Sequence, residues 1–268
     1  MSRRDDRCRQ CGFALIIVLG AVALLALLVV GLVSNASREA KLATTLRAEA
    51  VARAAADAVL SEEILEVLRS DGVVPGPRRF GAFGVSVSVV DLSGRINPNI
   101  ASVVMLQALL LGIGAPPQTA EYLAAAIVDW RTPGLSPSPH GAKAAQYHAA
   151  GMTYGPPGRP FENLDELGYV LGMTKPLLAA LKPHLTLWST SDPDPAAADA
   201  VVLGALRLSG VPPVAASNTE ARVIAFTATA TGPDAPSVVR RAVIRFGFSP
   251  DGRGWRVLEW DDGEPNWQ

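Results

Sequence analysis

Gly12-Phe13-Ala14-Leu15-Ile16-Ile17-Val18-Leu19-Gly20 opens a run that reaches Val33 without a charged or strongly polar side chain. Its residues from Phe13 onward, at a helical rise of 1.5 Å each, extend roughly 31 Å, about the thickness of bilayer hydrocarbon. A helix that is apolar all round has no inexpensive place in a small soluble core. Arg3, Arg4, Arg7 and Arg9 precede the run and no charge interrupts it. That bias predicts a cytoplasmic N-terminus and export of everything after the helix. Three kinds of targeting segment compete. A cleaved secretory signal has an apolar region of about 7–15 residues and a small-residue cleavage site, and Ser34-Asn35-Ala36-Ser37-Arg38 is a weak one. A plain signal anchor fits the length. A short basic leader, ending in Gly and cut before an aromatic-led apolar helix, fits both the length and the Gly12-Phe13 junction.

Cysteine usage agrees with the leader reading. Cys8 and Cys11 are the only two cysteines of the 268 residues, and both precede Gly12. A zinc site would need a second ligand pair in a folded frame, which the sequence does not offer. An exported domain starting at Phe13 has no disulfide and must be held by its core. Loss of residues 1–12, with four arginines and two aspartates, moves the net charge from −1 to −3. This balance argues against nucleic acid as a partner.

The chain reads as α+β. Residues 34–70 contain neither Pro nor Gly and are rich in Ala, Leu, Glu and Arg, so the apolar helix is expected to continue to about Ser70. Leu42, Leu46, Val59, Leu60, Ile64, Leu65 and Leu68 lie on one face at helical spacing, and Asp71-Gly72 is the expected stop. Phe83, Val85, Val87 and Val89 alternate with small residues, the pattern of a half-buried strand. Helices are expected over 101–111, 118–131, 141–150, 164–171 and 175–182. Asp194-Pro195 reads as a helix start for about 196–208. Strands are expected over 222–230, 238–248 and 255–260, with Asp251-Gly252 as the last hairpin turn. Strands on both sides of a helical block suggest one sheet interrupted by an inserted α-domain.

The Gly12-Phe13 junction resembles the type IV pilin and pseudopilin class. Five further strings resemble, in order and spacing, the K-type minor pseudopilins of type II secretion systems. They are Asp91-Leu92-Ser93-Gly94-Arg95-Ile96-Asn97-Pro98-Asn99, Ala126-Ile127-Val128-Asp129-Trp130-Arg131, Asn163-Leu164-Asp165-Glu166-Leu167, Leu171-Gly172-Met173-Thr174 and Leu181-Lys182-Pro183-His184-Leu185-Thr186. The resemblance implies a pilin-like fold with a long N-terminal transmembrane and amphipathic helix, an antiparallel sheet and a large inserted α-helical domain. Its parts would be a leader (1–12), a transmembrane helix (13–35), the pilin-like helix and first strand (36–100), the insertion (101–185), and the remaining small helix and strands (186–268).

The same resemblance implies that a prepilin peptidase cuts between Gly12 and Phe13 and methylates Phe13. Pseudopilins commonly carry Glu at the fifth mature position, where it pairs with a neighbouring N-terminal amine. Here that position is Ile17, as suits a subunit with none above it, since a lone carboxylate in the bilayer is costly. The implied role is a tip complex with I- and J-type minor pseudopilins that initiates the pseudopilus on an inner-membrane assembly platform. The helix would sit in membrane lipid, with the N-terminus cytoplasmic and the head periplasmic. Some K-type proteins bind calcium, which takes six to eight oxygen ligands. Residues 132–139 carry no carboxylate, and Lys143 stands where the family often has an acidic residue. Asp192, Asp194, Asp261, Asp262 and Glu264 read as solvated loop charge. The expectation is no cofactor, with calcium as the one candidate.

Rival readings are a minor pilin of a type IV pilus or competence system, a membrane-anchored enzyme, and a helix-hairpin-helix binding protein built on Leu110-Leu111-Gly112-Ile113-Gly114. The last lacks a basic residue from Leu106 to Trp130, where phosphate binding would need one. His140, His148 and His184 occur without ligand spacing, Asp129-Trp130-Arg131 reads as a helix end that packs, and no nucleophile motif appears. The chain is therefore expected not to be an enzyme.

Overall fold

The computed structural model describes residues 5–69, 78–210, 222–232, 236–247 and 254–263; before residue 41, side chains are described only at 18–29 and 39. Helix α1 runs from Asp5 to Arg69 as one element, as the unbroken run of helix formers dictates. Its expected stop at Asp71-Gly72 lies outside the described residues. Among the described residues no helix is long and apolar enough to cross a membrane; within the apolar run, side chains are described only from Val18 to Val29.

Strands β1 (Arg78–Phe80), β2 (Phe83–Asp91), β3 (Arg222–Thr231), β4 (Val238–Phe246) and β5 (Trp255–Asp262) form one sheet in that order. Every neighbouring pair is antiparallel. Asp91 pairs with Ile224 although the whole helical block separates them in sequence. Without that block the five strands are a plain meander.

Alternation in β2 puts Phe83, Val85 and Val87 on the face that α1 covers. The helix answers with Ala52, Ala55, Ala56, Val59, Leu60 and Ile64, all buried against Ile224, Phe226, Ala228 and Ile244. Alanines at the contact let the helix axis approach the sheet closely. Two polar clusters pin the helix to opposite sides of the sheet. Asp57 Oδ1 accepts from Arg240 Nε (2.8 Å) and Trp260 Nε1 (3.1 Å). Arg78 Nε donates to the fully buried Glu63 (2.9 Å), while its Nη2 reaches Glu66 (2.7 Å). The Glu66 and Glu63 carboxylates hold the Arg78 pKa above its usual value. Burial opposes ionisation of Arg240, but Asp57 and Asp262 outweigh it and raise the pKa.

The inserted unit comprises α2 (Val103–Gly112), α3 (Pro117–Arg131), α4 (Ala144–Ala149), a 3-10 turn over Leu164–Tyr169, α5 (Lys175–Leu181), a second 3-10 turn (Lys182–His184) and α6 (Ala200–Ser209). The structure differs from the sequence reading at several places. Helix α6 starts after Asp199, not at Asp194-Pro195: the Asp199 carboxylate takes the Val201 and Val202 N–H groups (2.8 and 3.0 Å), whereas Asp194 closes a turn onto Ala196 N. Residues 164–169 form a 3-10 turn rather than an α-helix. Strand β1 has no alternation to announce it and exists by pairing with β2. Helix α6, grouped with the C-terminal strands in the sequence reading, packs Val202, Ala205 and Leu206 into the same core as Leu106, Leu109 and Ile127. The Asp251-Gly252 turn lies outside the described residues.

Candidate functional site

The longest family-like string, Asp91 to Asn99, is the junction of sheet and helical unit. Asp91 ends β2 and holds both neighbours: its Oδ1 accepts from Ser93 N (2.9 Å) and its Oδ2 from Arg222 on β3 (3.0 Å). Ser93 Oγ accepts from Val223 N (2.9 Å) and Ser93 O from Asp194 N (2.9 Å), so one residue ties β3 to the segment leading into α6. Gly94 follows with no room for a side chain, because a Cβ there would overlap the backbone of Ala197 and Ala198. Ile96 and Leu185 then form a parallel bridge through Ile96 N to His184 O (3.0 Å) and Thr186 N to Ile96 O (2.9 Å). The chain thus enters and leaves the main helical block side by side.

Two asparagines lock this crossing. The buried Asn97 donates to Leu187 O (3.2 Å) and Ser189 O (2.6 Å) and accepts from Asn99 N (2.8 Å). Asn99 exchanges a reciprocal pair with the Phe161 backbone, at 2.9 and 2.7 Å. Arg131, at the end of α3, donates to Pro98 O and Ala101 O (2.5 and 2.6 Å) and so clamps the approach to α2. Burial lowers its pKa from the usual guanidinium value. Beside the junction lies a cleft of about 120 Å³, lined by Leu92, Arg95, Asn163, Trp188, Arg241 and Glu259. This is below the roughly 300–1,000 Å³ of small-molecule sites.

Asp129-Trp130-Arg131 is a packed helix end. Trp130 is buried and stacks on Phe161, with centroids 6.1 Å apart, and Trp130 O accepts from Gly158 N (3.0 Å). The histidines are not brought together. His140 faces Glu121 (3.4 Å) and Tyr122, His148 meets Met152 O (3.1 Å), and His184 meets Asp199 (2.6 Å). Burial works against the Asp199 carboxylate, but the α6 amides and His184 outweigh it and depress its pKa. Asp262 pairs with Arg240 (2.6 Å) and Arg53 (3.5 Å). Among the described residues no group of three His, Cys, Asp or Glu side chains could hold a metal ion. In the Leu110–Gly114 turn the Gly114 N–H is spent on Leu111 O (3.0 Å) and Ala115 N–H on Leu110 O (2.9 Å), leaving those amides no phosphate to cradle. The backbones of Gly12, Phe13 and Ile17 lie on α1; their side chains lie outside the described residues.

Tyr147 is the titratable keystone of the unit. Fully buried between Trp130 and Tyr154, its hydroxyl accepts from Leu171 N (2.9 Å). Burial pushes its pKa up to about 12. A folded-state value above the unfolded one means that stability is intact below pH ~10 and lost as pH rises toward about 12. Two pKa units correspond to about 3 kcal/mol. Urea unfolding at neutral and alkaline pH is expected to show this loss in the wild type. Tyr147→Phe should cost about 1–3 kcal/mol at pH 7, since Leu171 N–H loses its acceptor. It should also flatten the alkaline limb; an identical limb in both proteins would exclude Tyr147 as its source.

A long helix laid on an antiparallel meander, with a helical unit spliced in through a hydrogen-bonded junction, is the architecture that these contacts define. Residues 88–190, from late β2 to just past the Ile96–Leu185 bridge, match the family model described as Type II secretion system (T2SS), protein K. That segment is similar to protein K of type II secretion systems. The chain's fold is similar to a chain of the crystallised GspK-GspI-GspJ complex from the enterotoxigenic Escherichia coli Type 2 Secretion System. The TM-score is 0.57 at 18% identity, covering 86% of this chain and 98% of that one. Comparison with curated protein sequences returns no match.

Proposed function

We propose that the protein caps and initiates the periplasmic pseudopilus as one member of a complex with I- and J-type minor pseudopilins, and so supports export of folded proteins across the outer membrane. The observation that carries this reading is the protein K domain spliced into the sheet, since a unit of that bulk does not stack repetitively along a filament. The work is binding, not catalysis. The apolar part of α1 anchors the subunit in the inner membrane and later packs laterally with its neighbours; the head selects partners. A prepilin peptidase cuts between Gly12 and Phe13 and methylates Phe13, and Ile17 relieves the tip subunit of an unpaired carboxylate. The full chain co-expressed with a prepilin peptidase and I- and J-type partners is expected to lose twelve residues and to co-purify with both partners in detergent. A chain that is processed but captures neither partner would remove the tip role, and normal processing of Gly12→Ala would remove the leader assignment.

A further inference from the structure

The calcium ion that some proteins of the resembled family bind does not fit the loop after α3, where a cationic side chain of this protein already holds carbonyls at the helix end. The last turn of α3 leaves carbonyls without helical partners. Val128 O takes Thr132 N (3.1 Å) and Thr132 Oγ1 (2.7 Å), and Trp130 O takes Gly158 N (3.0 Å). Two further oxygens at this end, Asp129 O in the last turn and Thr132 O just after it, both accept from Lys143 Nζ at 2.5 Å. Lys143 is 3% exposed and Asp129 4%, so this is an interior ammonium, not a surface lysine resting on a loop. It lies at the negative end of a fifteen-residue helix, where a cation is favoured.

The loop is built around the same contact. Asp129 Oδ2 accepts from Ser138 N (3.0 Å), and Ser138 O accepts from Gly141 N (2.9 Å). A Cβ on Gly141 would overlap the Asp129 carboxylate, so the turn closes only with glycine there. Two residues later the chain delivers Lys143, whose own N–H is held by Gln146 Oε1 (3.0 Å) at the start of α4. Against this, a calcium site asks for six to eight oxygens, usually with several carboxylates. Residues 132–139 supply none, and two of the carbonyls nearest to hand are committed to an ammonium.

We infer that Lys143 is a built-in cation that closes the 132–143 loop in place of a divalent ion, making the helical unit independent of calcium. The inference concerns the unit's own folding and stands apart from partner capture. Full-length protein in detergent is expected to melt at the same temperature, within about 1 °C, in millimolar calcium and in excess chelator. Calorimetric titration with calcium chloride should show no stoichiometric binding. Lys143→Met leaves two interior carbonyls unpaired, so its melting temperature should fall by about 6 °C or more, and calcium should not restore it. Lys143→Arg, which keeps a cation but not its point-charge shape, should fall between the two. A calcium-dependent rise in the wild-type melting temperature overturns the proposal, as does a Lys143→Met protein that melts like the wild type. The wild-type measurement decides the matter even where a variant fails to accumulate.

Discussion

Gly94→Val is expected to destabilise the protein by about 3 kcal/mol or more, with the damage concentrated where the helical unit meets the sheet. The magnitude is that of severe overpacking, because the added carbon would meet main chain instead of a side chain that can turn away. Backbone atoms of Ala197 and Ala198 lie directly in its path. Both segments are fixed from elsewhere: Ser93 by Val223 N and Asp194 N, and the Ala197 turn by Asp194 O. The clash therefore cannot relax without breaking bonds that join β2, β3 and the run into α6. Gly114 is the informative contrast. It sits at φ +91° with open space around it, so Gly114→Ala should cost only the left-handed backbone penalty, about 1 kcal/mol. Denaturant unfolding of both variants measures the difference. Limited proteolysis should find new cleavage near 190–199 in Gly94→Val alone. Equal stabilities would mean that the Gly94–Ala197 approach is not as close as described.

Phe226→Ala should cost about 3–5 kcal/mol and lower the melting temperature by roughly 6–20 °C. Phe226 is the largest fully buried side chain at the centre of β3, where the ring packs edge-on against Phe246 at 6.3 Å between centroids. It lies in the layer between α1 and the sheet, with Leu60, Val59 and Ala56 opposite. Truncation opens a cavity that the hydrogen-bonded strands and the helix packed on them cannot readily close. Phe226→Leu keeps most of the volume and should lose about half as much or less. A loss below about 1 kcal/mol for Phe226→Ala, read from thermal or urea unfolding, would show that α1 does not rest on the sheet there.

What was legible in the sequence follows from the range of the forces involved. Periodicity and punctuation are local, so α2 and α3 appear within about two residues of their expected limits, and β2 and β3 almost where the alternation puts them. Caps are less certain when two candidates compete. Asp194 and Asp199 both precede the helix, and only tertiary packing, which draws Asp194 N to Ser93 O, decides in favour of Asp199. Gly94 and Lys143 were visible as letters but not as functions. Their roles depend on atoms of Ala197 and Thr132 that the fold brings together, and no local pattern announces such a meeting. The Asp91–Asn99 string stood out for its family likeness, and its physical meaning, a seam between two structural units, emerged only with the bridge to Leu185.

That bridge has a consequence for how the chain finds its shape. The contact between Val223 N and Ser93 Oγ spans 130 residues, and closing so long a flexible loop directly is slow and entropically unfavourable. The inserted unit has a core of its own, built mostly from helices close in sequence. Once it condenses, Ile96 and Leu185 are already side by side, and only the short run through α6 remains to be closed before β3 reaches β2. By the logarithmic law, shortening the effective loop about threefold saves roughly 1 kcal/mol of closure entropy. The inserted unit thus also acts as an internal template, shortening the search by which the sheet around it is completed.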